Sequence, residues 1–241
     1  MCGVRSIFAQ DNTVSQPQNK KVLEDPWSYD YEAVFASKYV FRGRKIYDGA
    51  SFSPDLALNY RLSKREELVT KIENVLPLQG EASGREFYSV TPSVQYQVES
   101  GPGDVALGVR WCSYLGTNKP PPGDSGEILY TMKLSALLEP SLSFFQDFAQ
   151  TRSRYLELGF SHEMPWDYYN KDLTLTPFVV LGYSFHSEES VYGSDGLNHV
   201  DFGVLGDLTV DSVTFRTKLN YTRAEDRQTS NMFWISQQVS F

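Results

Sequence analysis

The sequence predicts an all-β fold, a transmembrane up-and-down antiparallel barrel of about twelve strands. Three observations predict it. From Tyr29 to Phe241 the chain alternates apolar and polar residues with period two. Breakers divide it into about twelve such segments, whose connections alternate between short turns and longer loops. Aromatic residues cluster at segment ends, and the last residue is Phe241.

Composition narrows the class. The chain has 241 residues, 22 Lys and Arg against 30 Asp and Glu, and a net charge of -8. That acidic balance argues against a nucleic-acid partner, which would call for a basic face. Hydrophobic residues at 41% argue against a disordered chain. No apolar run approaches the roughly 18 residues of a spanning helix. Aromatics make up 14% of the chain, a share that interfacial girdles would explain.

Residues 1–28 read as the remnant of a secretory signal followed by a polar segment, with Ile7-Phe8-Ala9 ahead of a cut after Ala9, and with the apolar part of the signal upstream of this chain. Residues 29–241 read as the barrel. The two cysteines, Cys2 and Cys112, are too few for a disulfide framework or a CxxC metal site and read as unpaired thiols.

The strands are expected near 29–43, 51–62, 67–78, 86–99, 104–116, 126–138, 140–149, 153–163, 171–185, 198–210, 211–223 and 231–241. In the first, Tyr31, Tyr39 and Phe41 bracket Ala33 on the outward face. In the second, Phe52 and Tyr60 bracket Leu56 and Leu58, with Ser53, Asp55, Ala57, Asn59 and Arg61 inward. In the fourth, Tyr88 and Tyr96 bracket Val90 and Val94. The connection near Gln150 is short where a long one is due, and Met164 to Lys171 is long where a short one is due. Pro54, Pro92 and Pro177 fall inside strand patterns. Proline cannot donate to a ladder, so a closed barrel would need bulges there, and a soluble β-sandwich is the alternative these prolines favour.

Inward parity collects a polar lumen of both signs. The candidate pore-lining residues are Lys38, Arg42, Asp55, Arg61, Arg110, Lys133, Asp201, Asp207, Arg216 and Lys218, with Glu32 and Glu157 also inward. The tight reversal at Val210-Asp211 sets Asp201 and Asp207 beside Arg216 and Lys218 on the next strand. Arg42 is expected at the end of the first strand, near Asp55, Ser236 and Gln238, as a selectivity charge or as half of an ion pair at the barrel mouth. Phe233, Ile235, Val239 and Phe241 share one face, which resembles the C-terminal signal read by the bacterial barrel assembly machinery.

Residues 35–60 carry Ser37, Tyr39, Arg42, Gly43, Asp48 and Pro54 in a Ser-Lys-Tyr-Val-Phe-Arg-Gly strand end, an Asp-Gly loop and a following strand. This pattern resembles the TorF-type putative porins, small bacterial outer-membrane proteins. The resemblance covers about a tenth of the chain and implies fold and location more than substrate. Arg44 and Lys45 make the loop more basic than the family pattern.

No GxxxxGK[ST], HExxH, GxSxG or CxxC motif occurs. No catalytic residue, resident metal or cofactor is therefore expected. His186 and His199 flank an acidic loop with Glu188, Glu189, Asp195 and Asp201, which reads first as solvated surface. The expected function is a narrow, passive outer-membrane pore for small polar solutes, with outer-membrane lipid and the assembly machinery as partners. The alternatives are a plugged structural or adhesive barrel and, in another class, a lipid-modifying enzyme.

Overall fold

The computed structural model describes residues 25–42, 44–78, 88–115, 124–149, 152–168, 171–185, 195–224 and 231–241. They form fifteen strands: β1 Trp27–Ala36, β2 Tyr39–Phe41, β3 Arg44–Tyr47, β4 Ser51–Arg61, β5 Glu66–Pro77, β6 Tyr88–Ser100, β7 Gly103–Leu115, β8 Ser125–Leu134, β9 Ser141–Asp147, β10 Arg154–Ser161, β11 Met164–Tyr168, β12 Lys171–Phe185, β13 Gly196–Val210, β14 Val213–Ala224 and β15 Met232–Ser240. The wall runs β1-β4-β5-β6-β7-β8-β9-β10-β12-β13-β14-β15, antiparallel throughout. It closes where β1 pairs with β15, from Glu32 opposite Ser240 to Ala36 opposite Ser236. This is a closed barrel of twelve strands. Closure leaves no sheet edge, the condition for strands to cross a bilayer.

Alternation settles which face meets lipid. Along β4, Ser51, Asp55, Ala57 and Asn59 are buried in the lumen while Leu56 and Leu58 are exposed. Along β6, Ser89, Thr91, Ser93 and Gln95 are buried and Val94 and Tyr96 exposed. The outward band is aliphatic in its middle, with Ile72, Leu107 and Val109 exposed. Aromatic pairs flank it. At the end that carries the termini, Trp27 meets Tyr60 at 4.5 Å between ring centroids and Tyr31 meets Phe241 at 6.0 Å. At the other end Phe35 meets Phe52 at 4.7 Å and Tyr183 meets Phe185 at 4.6 Å. An apolar belt between aromatic girdles is what a bilayer selects.

The structure corrects four expectations. The first wall strand ends at Ala36. Ser37 donates its N–H to Ile235 O at 2.9 Å and accepts from Ile235 N at 3.1 Å, and the chain then leaves the wall. Tyr39 and Phe41 therefore belong to a separate hairpin, β2–β3, and are buried at 9% and 1% exposure. They are lumen residues rather than girdle residues, and Phe35 holds the girdle position.

The second correction concerns residues 164–168, expected in a long loop. They are β11, which runs in line with β10 and pairs with the first part of β12, Met164 opposite Leu175 to Tyr168 opposite Lys171. The rule of short turns at the terminal end is thereby restored.

The third concerns the prolines. Each sits at a gap in the ladder, with no shift of register. Pairing of β4 with β5 lapses between Phe52 and Leu56, and Asn74 fills the gap: its amide Nδ2 donates to Pro54 O at 2.9 Å. Pairing of β6 with β7 lapses between Val90 and Ser93, around Pro92. Pro177 faces the break between β10 and β11, where His162 N donates to Pro177 O at 3.2 Å. A missing N–H thus opens the ladder for a few positions without shifting its register, and at Pro54 and Pro177 a neighbour donates to the proline carbonyl.

The fourth concerns the thiols. Cys112, buried and inward on β7, is disulfide-bonded. Too few cysteines for a framework still allow one bridge, and such a bridge persists in an oxidising compartment.

Candidate functional site

The hairpin β2–β3 folds into the barrel and divides the lumen. Its apolar side packs on the β7–β10 wall: Tyr39, Phe41 and Tyr47 join Leu129, Phe145 and Tyr155 in a buried cluster. Arg42 at its turn has φ +46°, a left-handed conformation unfavourable for a residue with a side chain. Its guanidinium holds it there. Nη1 and Nη2 donate to Glu127 Oε1 and Oε2 at 3.0 and 3.1 Å, and the group lies 4.2 Å from the Phe145 ring centroid and 4.6 Å from that of Tyr155. Arg110, directly opposite Glu127 in the β7–β8 register, donates Nε to the same carboxylate at 2.7 Å. Two buried guanidiniums therefore share one buried carboxylate. A bidentate pair stacked on aromatic rings is the arrangement that best offsets the cost of burying charge.

The hairpin's base is held by charges outside the wall. Asp48 accepts from Lys45 Nζ at 2.6 Å and pairs with Lys38 Nζ at 3.1 Å. Those two lysine hydrogen bonds hold the Asp48 carboxyl below the usual carboxylate range.

Opposite the hairpin, a cavity of about 110 Å³ remains between it and the strands β1, β4, β5, β10 and β12–β15. Ionisable groups of both signs line it. On the β4–β5 side the lining carboxylates Asp55 and Glu73 pair with Lys71 behind them, at 3.7 and 3.5 Å, and Lys71 also lies 3.5 Å from Glu32. On the β13–β14 side, Arg216 is opposite Asp207 and donates Nε and Nη2 to its two oxygens at 2.7 and 2.9 Å. Lys218 Nζ sits 4.8 Å from the ring centroids of both Phe178 and Trp234. His199 is buried; its Nδ1 is 3.1 Å from Tyr155 Oη and its Nε2 is 3.8 Å from Asp201. Gly182 makes that contact across β12 feasible, because a Cβ there would collide with Tyr155 Oη and the His199 ring.

No protein-family model and no curated protein matches the sequence. Solved structures share its fold, among them two that are named with their source organism. LpxR from Salmonella typhimurium matches at TM-score 0.53 and 10% identity, over 89% of this chain and 99% of that one. The COG4313 outer membrane channel from Pseudomonas putida F1 matches at TM-score 0.50 and 10% identity, over 88% of this chain and 94% of that one. The barrel is of the outer-membrane type.

Of the residues expected to line the pore, Lys38, Arg42, Asp55, Asp201, Arg216 and Lys218 line this one cavity. Asp207 joins it through Arg216. Arg110 lies on the far side of the hairpin, under Glu127. Arg61, at the end of β4, is exposed, and Lys133 pairs with Glu139 at 2.7 Å beyond the end of β8, so both belong to the terminal rim. Arg42 does not meet Asp55 as expected but crosses the lumen to Glu127, because it rides on the hairpin and not on the wall. Lys218 is opposite Leu205, not Asp201.

Sequence reasoning left Glu127, Phe145, Tyr155 and His199 out of the site. Parity along β8 to β10 places the first three inward. What parity lacks is the register across the loop before Ser125, which alone brings Arg110 to Glu127. His186, Glu188 and Glu189 lie outside the described residues. Asp195 and His199 are described, and His199 faces the lumen.

Proposed function

We propose that the chain is a narrow bacterial outer-membrane channel for the passive passage of small polar solutes, its bore set by the hairpin β2–β3. The observation that supports this best is the charge-lined cavity left beside the hairpin, on the side away from its aromatic anchor. A lumen built only for stability would fill that volume with apolar side chains; this one keeps Asp55, Glu73, Arg216 and Lys218 around it. A barrel of this strand number lies between side-chain-filled barrels and wide pores. In this reading the protein is not an enzyme. Its C-terminal strand, with Phe233, Ile235, Val239 and Phe241, serves the assembly machinery.

One observation favours a plugged barrel instead: the buried aromatic cluster of Phe41, Phe145 and Tyr155 fills the lumen on the hairpin's anchored side. Planar-bilayer recording separates the two. The channel reading expects small conductance steps from the pure folded protein, and larger ones when residues 38–48 are replaced by a short Gly-Ser link. Silence from both proteins would leave the plugged barrel.

A further inference from the structure

We propose that the lumen cavity binds a small primary ammonium compound, its nitrogen held between Glu157 and Asp201 and its short apolar body against Val180 and Leu205. This names a solute class for the channel proposed above.

The charges that line the cavity differ in how well they are paired. Its four cations are engaged: Lys38 with Asp48, Arg42 with Glu127, Arg216 with Asp207, and Lys218 between the rings of Phe178 and Trp234. Asp55 and Glu73 share Lys71, and Asp55 also accepts from Asn74 N at 3.3 Å. Two carboxylates differ. Glu157 is buried at 5% exposure, and its Oε2 has no hydrogen-bond partner among the described residues; the same holds for Asp201 Oδ1. A buried carboxylate oxygen without a donor carries the full cost of its lost hydration.

Register places these two residues on the lumen face, two strands apart across β12. Glu157 is opposite Gly182, which is opposite His199; Gly159 is opposite Val180, which is opposite Asp201. Glu157 and Asp201 thus stand one pleat apart, with β12 between them carrying no side chain at Gly182 and an inward valine at Val180. Both line the same cavity.

The site asks for hydrogen-bond donors carrying positive charge. An ammonium has three N–H donors and no acceptor, and its bonds to carboxylate are charge-assisted. A bare metal ion suits the place less well. Among the described residues no group of three His, Cys, Asp or Glu is placed to hold one. The volume also exceeds one ion, and the adjoining wall at Val180 and Leu205 is apolar.

The test is calorimetric titration of the full folded chain in detergent with butylammonium chloride, against sodium chloride and sodium butanesulfonate at equal ionic strength. The expected result is saturable binding of butylammonium alone, weakened at least tenfold in Glu157→Gln and in Asp201→Asn. Either variant suffices should the other not fold. Heat no greater than that of sodium chloride, or unchanged affinity in a folded variant, would overturn the proposal. Binding is read without conduction, so a protein that binds but shows no conductance keeps the site and loses the channel. One that conducts without binding keeps the channel and loses the site.

Discussion

Breaking the Arg42–Glu127 pair should undock the hairpin and leave the wall intact. The two partners differ in what they leave behind. Arg42→Ala removes two charge-assisted hydrogen bonds and contacts with two aromatic faces. Such bonds contribute about 1.5–3 kcal/mol each, and a desolvated cation–π contact up to about 2 kcal/mol. Glu127 still keeps Arg110, however, so no buried carboxylate is stranded. The net cost should be about 2–4 kcal/mol. Glu127→Gln strands two buried guanidiniums at once, which places it at or above the roughly 3–5 kcal/mol of a broken buried pair. The double variant should cost less than the two together, by about 2 kcal/mol, because the lost interaction is counted once. Urea unfolding of the detergent-folded protein would supply the energies. Hydrogen exchange at Val40 and Lys45, whose backbones pair within the hairpin, would show where the loss falls. Costs that add without coupling, or hairpin amides as protected in Arg42→Ala as in the parent, would refute the assignment of this pair as the lock.

Other expectations follow from single contacts. Gly182→Ala should prevent or severely weaken folding, since its Cβ would occupy the Tyr155–His199 contact, whereas Gly206→Ala, whose Cβ would meet only Leu175 Cδ2 at 3.6 Å, should change the unfolding midpoint little; loss of the heat-modifiable gel band reports both. Asp48 has its carboxyl lowered in the folded chain, so its contribution is present above the unfolded value of 3.8 and fades only as pH falls below it. Conductance noise from hairpin motion should therefore be flat from neutral pH to about pH 4, as those pKa values require, and should rise at pH 7 in Asp48→Asn. Asp207→Asn should cost about 1–3 kcal/mol, because its two oxygens take charge-assisted bonds from Arg216 in a mostly buried pair, and a loss near zero would show that lumen water screens it.

The barrel was legible because lipid and water impose opposite demands on alternate residues. Leu56, Leu58, Val94 and Tyr96 had to face out and Asp55, Asn59, Ser93 and Gln95 in, so parity alone located the wall. The hairpin escaped the same reasoning for a physical reason. A strand inside the lumen has no lipid face, so alternation says nothing about where it lies. Tyr39, Phe41 and Tyr47 carry the aromatic rings that a girdle would carry, and Tyr39 and Phe41 follow β1 in unbroken parity. The distinguishing sign was charge. A wall strand that climbs past an aromatic girdle at Phe35 has reached the membrane surface, and a further Lys38 and Arg42 there need partners that water supplies freely. Buried, they need protein carboxylates, and the opposite wall places an inward carboxylate beside inward aromatic rings at Glu127 on β8 with Phe145 on β9. Arg42 inserted between them explains why an arginine, and not a glycine or asparagine, occupies the left-handed turn position. The strain at that residue is offset by the two hydrogen bonds its guanidinium donates to Glu127 and by its two aromatic neighbours, and so the same side chain that costs the turn its ease holds the hairpin inside the barrel.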